Sequence, residues 1–269
     1  MPVDIRARVI SNALLSPDYN VLSLAAPEIA ATCQPGPFVM VKPRHGTDPL
    51  LRRPFSVFEV LRDSAGTPTG ITILSKRIGV TTRLLHDAAE GDTIDCLGPL
   101  GRPFTLVEPP AEAWMVAGGV GLAPFATTLE ALNVLGTPSV LFYGARSSAD
   151  LFYLDWFSSR GARLVLATED GSVGDTGRIT VPLERELRAA EGRAVTLYAC
   201  GPEPMLEAVS NLATRYGRRC EVSVERVMGC GMGGCYSCVV PLKDSTGGHH
   251  FVRSCISGPV FDGAEIVWD

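Results

Sequence analysis

The sequence predicts a multidomain protein of β plus α/β class: an N-terminal antiparallel β-barrel, a central parallel-sheet α/β domain and a small C-terminal domain with a β-hairpin. Three observations predict this order. Short apolar runs separated by prolines and glycines occupy the N-terminal third, which is typical of small barrels. Strand-like and helix-like runs then alternate, which is typical of a parallel sheet. Closely spaced cysteines mark the last segment.

The composition argues against several classes of function. The chain has 269 residues, enough for two or three domains, and its net charge of -5 gives no general attraction to nucleic acid or to an acidic membrane surface. Residues 1–20 lack the basic and apolar regions of a secretory signal. The most apolar run, 113–126, is short for a membrane span. We therefore expect a cytoplasmic protein that binds neither nucleic acid nor membrane.

The first domain contains six predicted strands and one short helix. The strands cover 6–10, 19–24, 37–41, 56–60, 69–74 and 92–97, and the helix covers 82–89. Two stretches favour a phosphate-bearing ligand. The stretch 52–56 begins a strand and supplies a guanidinium, an aromatic ring and a hydroxyl. The stretch 76–82 places positive charge just before the helix, whose first amides favour an anion. Each stretch is also compatible with a solvated surface or a plain helix cap.

The second domain alternates strands with helices. The strands cover 113–117, 139–143, 163–167 and 194–200, and the helices cover 151–159, 181–190 and 203–216. The loop 118–121 (Gly-Gly-Val-Gly) and the pair Cys200-Gly201 follow strands, at the carboxyl ends where such sheets bind ligands. Pro124 stands where a complete dinucleotide fingerprint has its third glycine, so the loop is equally compatible with a simple tight turn. Cys200 is by default a small core residue.

The third domain contains Cys230, Cys235 and Cys238 in a C-x4-C-x2-C spacing, with sixteen residues between Cys238 and a fourth cysteine, Cys255. This spacing is that of the plant-type thiolates that hold a 2Fe-2S cluster. Glycines in the loop permit the sharp turns that three ligands of one small cluster require. A predicted hairpin, 239–242 with 251–253, returns the chain so that Cys255 completes the set. We also predict that Cys220, in a half-buried strand over 220–225, is a packing residue.

Other interpretations of the four cysteines remain. A structural zinc site usually pairs two cysteine or histidine knuckles, and a Rieske centre needs two histidines in place of two cysteines. Disulfides are disfavoured in a reducing compartment. From another functional class, a zinc-stabilised binding module without enzymatic activity therefore stays open beside the iron–sulfur interpretation.

Six motifs carry a resemblance to a known family. They occupy 53–56, 98–104, 117–125, 143–146, 200–205 and 255–261. Their order is similar to that in ferredoxin-reductase-like flavoproteins. With the cysteine loop, the whole chain resembles the electron-transfer subunits of class 1B dihydroorotate dehydrogenase. The resemblance implies an FAD-binding barrel at 1–105, an NAD-binding α/β domain at 106–218 and a 2Fe-2S domain at 219–269.

The resemblance also implies site residues. Those expected to contact FAD are Arg53, Pro54, Phe55, Ser56, Leu74, Ser75, Lys76, Thr81 and Thr82. Those expected to contact NADH are Gly118, Gly119, Val120, Gly121, Cys200 and Gly201. Arg53 is expected near the pyrophosphate and Ser56 near the flavin edge, and Ser56 and Cys200 are the expected catalytic residues. Thr81 replaces a glycine that the family usually has before its helix. The expected cluster ligands are Cys230, Cys235, Cys238 and Cys255.

The implied activity is oxidation of NADH and transfer of electrons to a partner. FAD accepts a hydride and releases single electrons, which suits a one-electron 2Fe-2S cluster. The expected partner is the FMN-containing dihydroorotate dehydrogenase subunit of pyrimidine synthesis, in a heterotetramer with two copies of each subunit. A reductase module of the sulfide dehydrogenase or ferredoxin:NADP oxidoreductase type is the same-fold alternative. Arg146, after a strand, is compatible with either a 2′-phosphate contact or plain exposure, which leaves NADH against NADPH undecided.

Overall fold

The first sheet of the computed structural model, which describes residues 1–43 and 47–268, is antiparallel and has seven strands in the order β4-β3-β7-β1-β2-β6-β5. Its strands are β1 (Val3–Leu14), β2 (Tyr19–Ala25), β3 (Phe38–Lys42), β4 (Arg53–Ser56), β5 (Val60–Arg62), β6 (Pro68–Lys76) and β7 (Thr93–Leu100). Two short helices accompany them, α1 (Pro27–Ala30) and α2 (Val80–His86). The predicted antiparallel β-domain is therefore confirmed.

The segment between β4 and β5 brings the two edges of this sheet together. The Val57 amide donates to the Pro37 carbonyl at 3.0 Å, and the next amide, of Phe58, donates to the Thr72 carbonyl on β6 at 2.8 Å. The sheet consequently curls towards closure. The prediction of one continuous strand over 56–60 was wrong, because the chain passes here from β4, which pairs with β3, to β5, which pairs with β6.

The second sheet has seven strands in the order β11-β10-β9-β8-β12-β13-β16, and all neighbours are parallel except the last pair. The strands are β8 (Glu112–Gly118), β9 (Ser139–Ala145), β10 (Arg163–Thr168), β11 (Asp175–Thr176), β12 (Val195–Cys200), β13 (Arg219–Ser223) and β16 (Val260–Asp262). Four helices connect them, α3 (Ala123–Leu135), α4 (Leu154–Ser159), α5 (Thr180–Ala189) and α6 (Glu203–Arg215). The predicted α/β alternation is confirmed.

Helices cover both faces of this sheet, as the central strand shows. Residues 113–117 of β8 are fully buried, and alternate side chains of a strand point to opposite faces. Trp114 packs in one core with Leu183 of α5 and Leu206 of α6. Met115 packs in the other core with Phe125 of α3 and Phe157 of α4. The side chains of this continuous apolar run thus pack alternately into two hydrophobic cores, one on each face of the sheet.

The C-terminal segment joins both sheets. It contains the hairpin β14 (Val239–Lys243) and β15 (His249–Arg253) and the short helix α7 (Ser254–Ser257). Its strands β13 and β16 complete the second sheet, which therefore extends past residue 218; the division at that residue remains a prediction. Cys220 on β13 is 3% exposed within the sheet core, which confirms its predicted packing role.

None of the helices within the described ranges combines the length and the apolar composition that a membrane-spanning helix needs. The longest, α3 and α6, have 13 residues each.

Candidate functional site

A cleft of about 520 Å³ runs along the carboxyl ends of the second sheet and reaches the first. Tyr19 and Lys76 from the curled sheet form part of its wall. Five residues that the sequence predicts as cofactor contacts line it: Lys76, Gly118, Gly119, Val120 and Gly201. The other predicted contacts with FAD and NADH lie outside the lining. The cleft thus joins the nucleotide loop to the barrel, as a hydride transfer between two bound cofactors requires.

The glycine loop runs from β8 through a short 3-10 turn, Gly119–Leu122, into α3. A Cβ atom on Gly121 would overlap the Cys200 carbonyl oxygen and lie 2.5 Å from the Cys200 carbonyl carbon. A Cβ atom on Gly118 would lie 2.8 Å from the Met205 sulfur. The glycines therefore allow the β8 loop to pack directly against the end of β12. The first amides of α3 follow at once, and helix N-termini favour anionic groups such as a diphosphate.

Cys200 lies beneath this loop. Its side chain is 4% exposed, and burial, followed by the nearby Glu225 carboxylate, raises the pKa of the thiol well above its usual range. The thiol consequently stays protonated at neutral pH and is not a nucleophile. Its neighbour Gly201 faces the cleft. The predicted role of Cys200, a floor under the nicotinamide, requires only a small neutral side chain and fits this environment.

The predicted flavin stretch begins with two arginines that have different surroundings. Arg52 donates two hydrogen bonds to the Asp4 carboxylate, at 2.8 and 3.0 Å. Arg53, on edge strand β4, is exposed and has no ion pair within the described residues. Arg53 is accordingly the guanidinium available for a diphosphate. Ser75 on β6 is buried, and its hydroxyl has no hydrogen-bond partner in the described part of the chain.

The second flavin stretch precedes α2. The Thr82 hydroxyl accepts hydrogen bonds from the amides of Ile78 and Gly79, both at 2.9 Å. Thr81, which replaces the family's usual glycine, is 7% exposed and therefore points into the protein. These side chains shape the loop from within, so any contact of theirs with FAD would involve mainly the backbone.

The cysteine loop has the backbone that its glycines predict. Gly231 and Gly233 adopt φ angles of +73° and +81°, in the left-handed region that glycine tolerates. The amides of Met232 and Gly234 donate to the Cys230 sulfur at 3.4 and 3.2 Å. Such amide donors stabilise a thiolate, as a cluster ligand requires.

The four thiols lie close enough to influence one another in two pairs, Cys230 with Cys235 and Cys238 with Cys255. Hydrogen bonds from Ser237, and then from Cys230, lower the pKa of Cys235 to about 6, whereas burial raises the pKa of Cys255 to about 12. Within the described residues, no group of three or more potential ligands is arranged around one metal ion. Two pairs match a two-iron cluster, in which each iron takes two protein ligands.

The cysteine loop packs on the barrel beside the predicted flavin strand. Cys238 and Cys255 share an apolar cluster with Met40 of β3. A Cβ atom on Gly231 would lie 2.5 Å from Met40 Cγ. Met40 lies on β3 and pairs with Pro54 of the neighbouring strand β4. The cysteine loop thus contacts β3, which is the strand next to the predicted flavin strand, and neighbouring strands lie about 4.8 Å apart.

Comparison with known proteins extends these observations. The family model of the iron–sulfur cluster binding domain of dihydroorotate dehydrogenase B matches residues 225–267, and that of the oxidoreductase NAD-binding domain matches 115–211. The dihydroorotate dehydrogenase B (NAD(+)) electron transfer subunit of Desulforamulus reducens is 33% identical over 98% of both chains. The chain belongs to this family of electron transfer subunits. The Geobacillus kaustophilus member is 37% identical over 97% of this chain and 98% of its own.

Solved structures support the family's fold. The chain is similar to an NADH-dependent reduced ferredoxin-NADP oxidoreductase, with a TM-score of 0.84 and 27% identity over 98% of this chain and 91% of that one. A ferredoxin NADP+ reductase from Neisseria gonorrhoeae shares the fold, with a TM-score of 0.67 and 18% identity over 80% of this chain and 92% of that one. The family matches confirm the predicted iron–sulfur and NAD-binding classes and disfavour a zinc-stabilised binding module.

One cleft residue of this family member escaped the sequence analysis. Glu225 follows β13 and lines the cleft. Glu225 is exposed, but nearby protein atoms partly desolvate the carboxyl and raise its pKa. The available signal was its position just past a strand of the α/β segment, where ligand contacts concentrate. Only the parallel pairing of β12 and β13 places it beside Cys200.

Proposed function

We propose that the chain is the electron-transfer subunit of a dihydroorotate dehydrogenase, which oxidises NADH through FAD and a 2Fe-2S cluster and supplies an FMN-containing catalytic subunit. One observation carries this proposal. The barrel contacts both other parts of the chain: Lys76 of β6 lines the nucleotide cleft, and Met40 of β3, the strand that pairs with the predicted flavin strand β4, packs against the cysteine loop. Electrons can therefore pass from NADH to the cluster within one chain.

Each part of the chain has a distinct task in this function. When bound, FAD converts the two-electron chemistry of NADH into the one-electron chemistry of the cluster. Arg53 and Lys76 supply positive charge to its diphosphate side, and Ser56 supplies a hydroxyl near its ring. The glycine loop and the first amides of α3 bind the NADH diphosphate, while Gly201 leaves room for the nicotinamide. Cys230, Cys235, Cys238 and Cys255 hold the two irons.

The proposed electron exit is the exposed side of the cysteine loop. Cys235 is exposed, and three large apolar side chains around the loop, Met232, Tyr236 and Ile256, are 62%, 63% and 49% exposed. Exposed apolar groups beside a redox centre favour a protein partner. We propose that the FMN subunit docks here in a heterotetramer with two copies of each chain. A cytoplasmic location suits thiols that must stay reduced to hold iron.

The test of this function is spectroscopic and kinetic. The protein, purified anaerobically, should contain two irons, two acid-labile sulfides and one FAD per chain, estimated from the four thiols and one flavin site. NADH should bleach both the flavin and the iron–sulfur absorption. A colourless protein with stoichiometric zinc would refute the proposal.

A second acceptor deserves a direct comparison, because the similarity to the NADH-dependent reduced ferredoxin-NADP oxidoreductase covers 98% of this chain. Co-purification from the native source should recover a dihydroorotate dehydrogenase catalytic subunit, and NADH should then reduce orotate in the complex. Recovery of a ferredoxin-linked or sulfide dehydrogenase subunit instead would replace the pyrimidine assignment while leaving the cofactors unchanged.

A further inference from the structure

The far end of the cleft carries three charged residues to which the proposed function assigns no task. Arg146 follows β9, Glu169 follows β10, and Arg178 precedes α5; all three line the cleft. None has an ion pair within the described residues. Their charges are thus available to a ligand.

The order of the strands assigns this end to the adenosine half of the nucleotide. Gly201 and Glu225 lie at the ends of β12 and β13, and the glycine loop lies at the end of β8. With the nicotinamide over β12 and the diphosphate at β8, the remaining ribose extends over β9 and β10. Glu169 lies two strands from the glycine loop, about 10 Å away by strand spacing.

Hydrogen bonds hold the two charged loops side by side. The Glu169 amide donates to the Ala145 carbonyl, and the Asp170 amide donates to the Arg146 carbonyl, both at 3.1 Å. The Ser148 amide donates to the Ser172 hydroxyl at 2.8 Å. The positions of Arg146 and Glu169 next to each other are therefore a property of the fold and not of a mobile tail.

The neighbouring Asp170 differs from Glu169 because its carboxylate accepts hydrogen bonds within the protein. One of its carboxylate oxygens accepts hydrogen bonds from the amide and the hydroxyl of Ser172, at 3.0 and 2.6 Å, and these bonds lower the pKa of Asp170. The Asp170 carboxylate is thus already hydrogen-bonded to Ser172. No group in the described chain donates a hydrogen bond to the Glu169 carboxylate, and Glu169 lines the cleft.

We propose that Glu169 determines the preference for NADH over NADPH by blocking a latent 2′-phosphate site formed by Arg146 and Arg178. A carboxylate at the adenosine ribose accepts hydrogen bonds from the 2′-hydroxyl, whereas arginine accommodates a 2′-phosphate. The two arginines alone would favour NADPH. The Glu169 carboxylate in the same part of the cleft offsets their charge and repels the phosphate dianion, so discrimination rests on a repulsive element. This inference rests on the proposed NADH oxidation.

The test compares kcat/KM for NADH and NADPH, with a dye as acceptor, in wild-type protein, Glu169→Gln and the neighbouring control Asp170→Asn. Glu169→Gln should raise the NADPH-to-NADH ratio of kcat/KM about 10- to 100-fold, mainly through a lower KM for NADPH, and the effect should shrink with added salt. Asp170→Asn should leave this ratio within about twofold. Competitive inhibition by 2′,5′-ADP should tighten in Glu169→Gln relative to inhibition by ADP.

The outcomes separate this inference from the proposed function. Wild-type protein that oxidises neither nucleotide would contradict the proposed function itself. Wild-type protein that prefers NADPH, or a ratio unchanged in Glu169→Gln, would overturn the role of Glu169 and leave the reductase function standing. An equal shift in Asp170→Asn would also overturn it, because the effect would then be general electrostatics and not a contact with the ribose.

Discussion

The close packing of the glycine loop on β12 predicts a large effect of one methyl group. In Gly121→Ala, the new Cβ atom would lie 2.5 Å from the Cys200 carbonyl carbon and 2.7 Å from the Gly201 amide nitrogen. Both are backbone atoms at the end of β12, which pairs with β8 on one side and β13 on the other, so neither can move freely. Overpacking destabilises a folded protein by about 1–3 kcal/mol, and we expect a clash with fixed backbone to cost about 3 kcal/mol, the upper end of this range.

This free energy converts into a measurable shift. For a chain of this size each kcal/mol lowers Tm by about 2–4 °C, so Gly121→Ala should lower Tm by about 6–12 °C. Differential scanning calorimetry of the holoprotein at fixed FAD concentration measures it. The KM for NADH should rise as well, because the displaced loop is the proposed diphosphate site.

The matched control is Gly119→Ala in the same loop. Gly119 has φ +55°, but a Cβ atom there would meet nothing within 4 Å. Only the left-handed conformation opposes the substitution, at about 1 kcal/mol. A Tm for Gly121→Ala within about 2 °C of wild type, or no lower than that of Gly119→Ala, would refute the close approach of the loop to β12.

Three further perturbations test other parts of the structure. Cys235→Ser should abolish the iron–sulfur absorption and partner reduction while retaining most NADH-dependent dye reduction, because the predicted flavin strand lies on the barrel. Glu59→Gln should raise Tm at pH 8. Burial, followed by the charge of Glu130, raises the pKa of Glu59 in the folded protein. The wild-type protein therefore loses stability as the pH rises through this folded-state pKa, and a neutral glutamine avoids that loss. Thr82→Val should weaken FAD retention and cost about 1–2 kcal/mol, since two amides lose their acceptor.

Each of these has a control. Cys220→Ser, in the sheet core, should keep its iron; equal loss of iron in this variant would contradict the assignment of the ligands. The Tm gain of Glu59→Gln should vanish below about pH 4, where both states are protonated, and a gain that persists there would exclude a charge effect. For Thr82→Val, unchanged Tm and FAD affinity would show that the hydroxyl does not hold the loop.

Local chemistry was predictable wherever closely spaced residues define it. The cysteine spacing and its glycines predicted the sharp turns seen at Gly231 and Gly233, because three ligands of one small cluster require them whatever surrounds the loop. The apolar run over 113–117 predicted a strand of the α/β domain, and the structure confirms it as β8. The strand predicted over 56–60 failed because a change of pairing partner leaves no periodic signal in an apolar run.

The amino-acid sequence by itself determined the order of β and α/β segments, the glycine loop and the four thiols, since each depends on residues near one another along the chain. Only the tertiary structure decided which distant groups meet. Parallel pairing of β12 with β13 brings Glu225 to Cys200, and the hydrogen bonds between the loops after β9 and β10 bring Glu169 to Arg146. Such meetings depend on strand order, which arises from burial of whole faces and not from any local pattern.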